Sequence, residues 1–545
     1  PLAQSIIEIC KAKGVEHIII SPGSRNAPLT IGFASNSSFK CYSVVDERCA
    51  AFFALGIAQQ INKPVVVVCT SGSALLNYYP AVAEAFYSQI PLVVISADRP
   101  HDKIDIGDGQ TIRQENVFAN HILYNANLNE VASAENDLKI NEAINTSILK
   151  KGPVHINAPF EEPLYSTVSE LSVVPKLVPL LEDKEIFQLK EKHLLIWNTS
   201  SKKLILVGEL KPNSIESNII EKLAKEESVV VMTEVTSNLH HSSFISNIDA
   251  IITPFTQEDF ENFKPEVLIT FGGMVVSKRI KAFLRKYQSN QHWHIDELRA
   301  YDTYGCLTDF IEAKPNQFFN ALLDNCKSTS SKYKFNFNEI IVQRAKKHQQ
   351  YIDAVPFSDF QVFSVLAKQL SGETQLQISN SSAIRYFQLF QLNSSVQVFC
   401  NRGTSGIDGS TSTAIGAAIT TSKPTVLITG DISFLYDSNA LWNNYIPDNF
   451  KIIIINNSGG GIFRILPGHE ESEVFNKFFE TSHNLDASHL AKMYSFNYQL
   501  ITDNDNLEHK IKQFLGDFSG KSILEIKTPE KLNDKILLEY FKKLK

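Results

Sequence analysis

The sequence predicts an α/β protein of three doubly wound domains, each a parallel sheet with helices on both faces. Short apolar runs rich in Val and Ile recur along the chain, closed by Gly, Ser, Asp or Pro, as fully buried strands are. Helical patterns separate these runs, as the crossovers between parallel strands require. At 545 residues the chain is also too long for one hydrophobic core, and about two to four domains are expected.

The elements follow in order. Glu16–Ile20 reads as a strand ending in the loop Ser21-Pro22-Gly23-Ser24-Arg25. Cys41–Val45 is a second, ending at Asp46-Glu47-Arg48. Pro64–Cys69 is a third, ending at Thr70-Ser71-Gly72-Ser73, and Pro91–Ser96 a fourth, ending at Ala97-Asp98-Arg99-Pro100. Helical patterns such as Ala50–Gln60 and Ala74–Tyr87 follow them, and Gly152–Asn157 is a last strand before a Pro-containing exit. Residues 170–200 read as a linker, with Pro175, Pro179 and a charged helix around Glu182–Lys192. A second α/β stretch holds Lys203–Val207, Ser228–Met232 and Val267–Phe271 with Gly272-Gly273. Residues 328–360 are polar and helical and read as a second connection. The third α/β region holds the strands Pro424–Thr429 and Lys451–Ile455. The expected domains are residues 1–175, 190–345 and 355–545.

Composition excludes several classes. Hydrophobic content of 43% and charged content of 20% are those of a soluble globular enzyme. A formal charge of −7 gives no basic face for nucleic acid. The seven cysteines are scattered and form no Cys-x-x-Cys pair, so neither a zinc site nor a disulfide framework is expected. A reducing cytoplasm suits them. Residues 1–20 carry Glu8, Lys11, Lys13 and Glu16 in an amphipathic pattern rather than a leader, and no apolar run reaches the ~20 residues of a membrane span.

The most informative feature is Gly430-Asp431 at the tip of one expected strand and Asn456-Asn457 at the tip of the next. The carboxyl edge of an open parallel sheet is where ligands bind. One carboxylate and one amide oxygen suit Mg²⁺, which fills its other positions with water and phosphate oxygens. The run Ser458-Gly459-Gly460-Gly461 lets backbone approach a diphosphate. Taken singly, the Asp also reads as a helix cap and the Asn pair as a turn. Together they resemble the diphosphate-binding motif of thiamine-diphosphate enzymes. Ile432 stands where most of that superfamily has Gly, which points to a sub-branch.

Arg25, Arg99, Lys278, Arg279, Arg385 and Arg402 all lie in loops at strand ends. A single arginine is ordinarily a solvated charge. This many, on separate loops, point to substrates with several carboxylates, which guanidinium forks bind bidentately.

The resemblance to the superfamily implies that Glu47, at the end of the second strand, hydrogen-bonds the cofactor's aminopyrimidine and promotes its deprotonation. It also implies that the two ends of the cofactor are held by different subunits. The match sharpens over Ser21-Pro22-Gly23-Ser24-Arg25, Asp46-Glu47-Arg48, Thr70-Ser71-Gly72, Ala97-Asp98-Arg99-Pro100, Gln110–Gln114, Ser277-Lys278-Arg279, Asn401-Arg402-Gly403, Ser405-Gly406-Ile407-Asp408-Gly409, Asn456-Asn457 and Ile462-Phe463. These runs resemble the MenD family, the 2-succinyl-5-enolpyruvyl-6-hydroxy-3-cyclohexene-1-carboxylate synthases of menaquinone biosynthesis. That family also lacks the Gly at the Ile432 position. Gly109 is a departure, standing where Asn is expected.

The resemblance implies a transferase that decarboxylates 2-oxoglutarate and adds the resulting succinyl carbanion equivalent to isochorismate in a 1,4 sense. It implies thiamine diphosphate and Mg²⁺ (or Mn²⁺), with Asp431, Asn457 and the Gly459 carbonyl as metal ligands. Ser71, Gly72, Gly430 and Ile432 would line the cofactor, Ile407 would bend it, and Ile462 and Phe463 would wall its thiazolium. Ser381, Arg385 and Arg402 would hold the 2-oxoglutarate-derived part. Ser24, Arg25, Arg99, Gln110, Lys278 and Arg279 would bind isochorismate or orient the adduct. A homodimer or homotetramer with sites between subunits is implied. The alternatives are an acetolactate synthase-like enzyme or 2-oxoacid decarboxylase, and a non-catalytic binding protein of the same fold.

Overall fold

A computed structural model describes residues 1–181, 187–370, 372–465, 470–517 and 519–545. Three parallel sheets follow one another along the chain. The first contains β1 (His17–Ile20), β2 (Lys40–Ser43), β3 (Val65–Cys69), β4 (Leu92–Asp98), β5 (Asn125–Asn127) and β6 (Pro153–Pro159), in the order β2-β1-β3-β4-β6-β5. The second contains β7 (Lys203–Val207), β8 (Val229–Met232), β9 (Val267–Phe271), β10 (Gln291–Asp296) and β11 (Asp309–Glu312), in the order β11-β10-β9-β7-β8. The third contains β12 (Gln375–Ile378), β13 (Gln397–Phe399), β14 (Thr425–Gly430), β15 (Phe450–Asn456), β16 (Asn497–Ile501) and β17 (Ser522–Lys527), in the order β13-β12-β14-β15-β17-β16. Central strands such as β3 and β9 are buried along their whole length, which is why they read as unbroken apolar runs.

Differences from the sequence reading have local causes. β2 spans Lys40–Ser43 rather than reaching Val45, because the chain leaves the edge of the sheet to start a helix. That helix begins at Glu47, not Ala50: Asp46 caps it by accepting from Cys49 N at 3.1 Å. Ala74–Tyr87 is broken into Ala74–Asn77 and Tyr79–Ser88, with Pro80 in the first turn of the second piece. Of the helix expected around Glu182–Lys192, residues 182–186 lie outside the described residues; the helix here runs Glu191–Thr199. The edge strands β5, β11 and β13 are short and carry too few apolar residues to signal themselves.

The N-terminal and C-terminal sheets share one hydrophobic core. The helix Glu47–Ile61 lies against the helix Ser410–Ala418, and Phe52, Phe53, Ile415, Leu427 and Phe434 belong to the same buried cluster. Glycines set the closeness of that seam. A Cβ on Gly56 would sit 2.0 Å from Thr413 O, and one on Gly416 would sit 2.0 Å from Phe53 O.

Each sheet has a point from which successive strands are laid down in opposite directions: between β1 and β3, between β7 and β9, and between β12 and β14. Such a reversal opens a crevice at the carboxyl ends of the strands. The first crevice is flanked by the Ser21–Arg25 and Thr70–Gly72 loops, and the third by the Ser379–Ser381 and Gly430–Asp431 segments.

Candidate active site

The parallel register of β14 and β15 pairs Gly430 with Ile455, so Asp431 and Asn457 leave the sheet side by side. Asp431 opens the helix Asp431–Tyr436 and is 4% exposed. Its Oδ1 accepts from Ile432 N at 2.7 Å and its Oδ2 from Gly459 N at 2.9 Å. His483 Nε2 lies 3.3 Å from Oδ2, and this contact pushes the imidazole pKa up.

Asn457 Nδ2 donates to Asp359 Oδ2 at 2.9 Å. This leaves Asn457 Oδ1 buried with no hydrogen-bond partner in the protein. Asp359 is itself buried, and burial raises its pKa to about 6. A Cβ on Gly430 would meet nothing within 4 Å, so open space faces it. Gly459 has φ +150, a conformation suited to glycine, and its carbonyl accepts from Gly461 N at 3.0 Å. An orphaned amide oxygen, a carboxylate beside it and close, side-chain-free backbone fit a divalent cation with a diphosphate.

The neighbouring loops add cations. Arg402 is 8% exposed; its Nη1 donates to Asn380 Oδ1 at 2.6 Å, while its Nε is buried without a partner. Ser381 has φ 71, and its carbonyl accepts from Arg385 Nη1 at 2.8 Å. Burial, and then the charge of Arg402, lower the Arg385 pKa. Lys278 and Arg279 open the helix Lys278–Lys286 and are exposed; Arg279 stacks on Phe541 with Cζ 4.4 Å from the ring centre. Ile407 is 36% exposed, and its carbonyl accepts from Ser433 Oγ at 2.6 Å, which ties it to the Asp431 helix. Ile462 and Phe463 are partly exposed on the short 3₁₀ helix Gly461–Ile465.

The remaining predicted residues form a second group, on the first sheet. Arg25 is buried: Nη1 donates to Phe160 O at 2.9 Å and Nε has no partner. Arg99 Nη1 pairs with Asp108 at 3.3 Å, and its Nε is again buried and unpartnered. Ser71 Oγ is likewise an orphan, and Gly72 N donates to Gln114 Oε1 at 2.8 Å. Gln110, with φ 54, passes its backbone over Gly72, where a Cβ would lie 3.3 Å from the Gln110 carbonyl. Ser24 and Gln110 are exposed, and Gly109 faces open space, so nothing of its surroundings excludes a larger residue there. Glu47 is half-buried, and burial raises its pKa. Among the described residues it makes no hydrogen bond to the Asp431–Gly459 cluster. Its neighbours hold it instead: Asp46 accepts from Asn439 Nδ2 at 2.9 Å and Arg48 donates to Tyr436 O at 2.9 Å.

Sequence reasoning missed the supporting carboxylates Asp359, Glu84 and Glu234. Each reads as an ordinary acidic residue, and each works across a long sequence separation. A cavity of about 380 Å³ lies beside Arg402 at the carboxyl edge of the second sheet, lined among others by Glu209, Lys211, Gly272, Lys281 and Arg299.

Three doubly wound sheets, a buried acid–amide pair beside a glycine run and a distant half-buried glutamate define a thiamine-diphosphate enzyme. Comparison with known families agrees. Residues 1–122 match the thiamine pyrophosphate enzyme N-terminal TPP-binding domain, residues 177–378 the middle domain of thiamine pyrophosphate enzymes, and residues 379–526 the C-terminal TPP-binding domain. The chain is 65% identical to the 2-succinyl-5-enolpyruvyl-6-hydroxy-3-cyclohexene-1-carboxylate synthase of Flavobacterium psychrophilum, over 100% of this chain and 99% of that protein. It is 64% identical to the synthase of the same name from Flavobacterium johnsoniae and 49% identical to that of Christiangramia forsetii, each over 100% of this chain and 99% of the relative. The chain belongs to this synthase family. Among the described residues no helix is long and apolar enough to cross a membrane.

Proposed function

We propose that this protein decarboxylates 2-oxoglutarate and joins the remaining four-carbon unit to isochorismate by 1,4-addition, giving 2-succinyl-5-enolpyruvyl-6-hydroxy-3-cyclohexene-1-carboxylate for menaquinone biosynthesis in the cytoplasm. Four arginines among the described residues have a buried, unpartnered Nε, namely Arg25, Arg48, Arg99 and Arg402, and the observation that carries this reading is that three of them, Arg25, Arg99 and Arg402, lie on strand-end loops. A buried donor without a partner costs free energy, and a bound carboxylate recovers it. Three such donors on separate strand-end loops suit two substrates that both carry carboxylates. A smaller 2-oxoacid such as pyruvate would leave most of them unsatisfied.

Asp431, the Asn457 amide oxygen and the Gly459 carbonyl would hold Mg²⁺, or Mn²⁺, against the diphosphate, with Gly430 and Ile432 alongside. Bound thiamine diphosphate supplies the electron sink for the loss of CO₂. Glu47 would accept a hydrogen bond from the aminopyrimidine and move a proton there; its raised pKa suits such a group. Ser71 and Gly72 line the same end of the cofactor, and Ile407, Ile462 and Phe463 give the apolar surfaces that shape the pocket and keep water out. Arg402, Arg385 and Ser381 orient 2-oxoglutarate. Ser24, Arg25, Arg99, Gln110, Lys278 and Arg279 orient isochorismate. In this reading, which rests on the family resemblance, the working unit is a homo-oligomer in which one subunit's Glu47 serves its neighbour's cofactor site.

The test is product analysis by mass spectrometry after incubation with 2-oxoglutarate, isochorismate, thiamine diphosphate and Mg²⁺. The expected outcome is the succinyl adduct of isochorismate and CO₂ release that depends on 2-oxoglutarate. Preferential turnover of pyruvate would sink the proposal.

A further inference from the structure

We propose that Glu84 is a positioning residue that sets Arg402 for the 2-oxoglutarate carboxylate, an inference that rests on the role given to Arg402 above. Glu84 lies on the helix Tyr79–Ser88 beside the first sheet and is 1% exposed. Its carboxylate reaches across to the loop that follows β13. Oε1 accepts from Gly403 N at 2.7 Å and from Ser88 Oγ at 2.7 Å. Oε2 accepts from Thr404 N at 2.6 Å and from Thr404 Oγ1 at 2.8 Å.

Gly403 makes this approach possible: a Cβ there would lie 2.6 Å from Glu84 O and 2.8 Å from Ser88 Oγ. On the other side, Asn380 Nδ2 donates to Asn401 O and to Gly406 O, both at 2.7 Å, and Asn380 Oδ1 accepts from Arg402 Nη1. The main chain on both sides of Arg402 is therefore gripped by one carboxylate and one amide, and the guanidinium keeps a free Nε.

Only a carboxylate suits the Glu84 position. Four donors converge on two oxygens, and two of the donors are consecutive backbone N–H groups. In Glu84→Gln, one oxygen becomes an NH₂ that faces donors, so at least one of the two backbone N–H groups loses its partner. The loop must shift to recover it, and Arg402 shifts with the loop. A displacement of about 1 Å at a group that orients substrate can cost about 100-fold in rate.

The experiment compares Glu84→Gln, Thr404→Val, Arg402→Ala and the Glu84→Gln/Arg402→Ala double variant. Steady-state kinetics are run with each substrate varied in turn, and the rise in melting temperature on adding thiamine diphosphate and Mg²⁺ is measured for each. Glu84→Gln is expected to raise KM for 2-oxoglutarate roughly 10- to 100-fold, to leave KM for isochorismate near its wild-type value, and to keep the cofactor-dependent melting shift. Thr404→Val moves the same constant in the same direction by less. In the double variant kcat/KM for 2-oxoglutarate equals that of Arg402→Ala alone, because Glu84 acts through Arg402. Additive losses, or equal rises in both KM values, overturn the proposal. Should Glu84→Gln not fold, Thr404→Val decides, and wild-type kinetics in that variant overturn it. If Arg402→Ala itself leaves 2-oxoglutarate use intact, the substrate assignment has failed and takes this inference with it. If Arg402→Ala impairs it while Glu84→Gln and Thr404→Val do not, the inference alone has failed.

Discussion

Asp359 and Asn457 are joined side chain to side chain at 2.9 Å, and the bond decides that the Asn457 oxygen is the amide atom left without a partner. Asp359 is held in turn. Its Oδ1 accepts from Thr528 Oγ1 at 2.5 Å, and its backbone N–H donates to Asn533 Oδ1 at 2.8 Å. Partners of this kind around a metal ligand are typically worth about 10- to 100-fold in metal affinity. Asp359→Asn allows the Asn457 amide to turn over. The Mg²⁺ concentration giving half of the thiamine-diphosphate-dependent melting shift is expected to rise by roughly that factor. An unchanged midpoint would show that Asp359 does not orient the ligand.

Glu47→Gln removes a proton-exchanging group while keeping its shape. The protein should fold, and the melting shift with thiamine diphosphate and Mg²⁺ should remain. Turnover should fall about 10²- to 10⁴-fold, the range for a general acid–base group. Near-normal turnover would rule out the assigned role.

Gly416→Ala places a Cβ 2.0 Å from Phe53 O, in the seam between the helices Glu47–Ile61 and Ser410–Ala418. Overpacking of this kind costs about 1–3 kcal/mol, so the melting temperature of the variant should drop. Gly430→Ala makes the contrast, since its Cβ meets nothing within 4 Å. Its cofactor-free stability should stay close to wild type while its response to thiamine diphosphate weakens. Two variants with equal losses of stability would contradict this division between packing and ligand space.

Glu234 predicts a pH dependence. It is 3% exposed and accepts from Val276 N at 2.6 Å and Ser277 N at 2.7 Å, yet burial outweighs these bonds and raises its pKa to about 7. The folded state therefore holds its proton more tightly than the unfolded chain, whose value is near 4.5. Stability from this group is present below about pH 4.5 and falls as pH rises toward 7, the reverse of a salt-bridged carboxylate. Glu234→Gln removes that dependence. The melting difference between wild type and variant should favour wild type more at pH 5 than at pH 8. A pH-independent difference would refute the assignment.

Much of this architecture was readable in the chain itself. Strands β3, β4, β9 and β15 are buried on both faces, so their apolar runs had no competing interpretation. Asp431 and Asn457 could be paired in advance because neighbouring parallel strands bring their carboxyl ends together. The arginines could be singled out because loops at that edge face ligands. The supporting network was not readable. Asp359 lies 98 residues from Asn457, and Glu84 lies 319 from Gly403. In the sequence each is one more acid on a helix. Edge strand β5 was equally silent, because Asn125-Ala126-Asn127 has no apolar alternation to report.

The sequence by itself determined the domain class and the thiamine-diphosphate family, since strand runs and loop motifs are patterns within a few neighbouring positions. Tertiary structure alone decided which way the Asn457 amide turns, which carboxylate fixes the Arg402 loop and how closely the helices of the first and third sheets meet. Those are contacts between segments far apart in the chain. Local periodicity records whether a side chain is buried, and not what it is buried against.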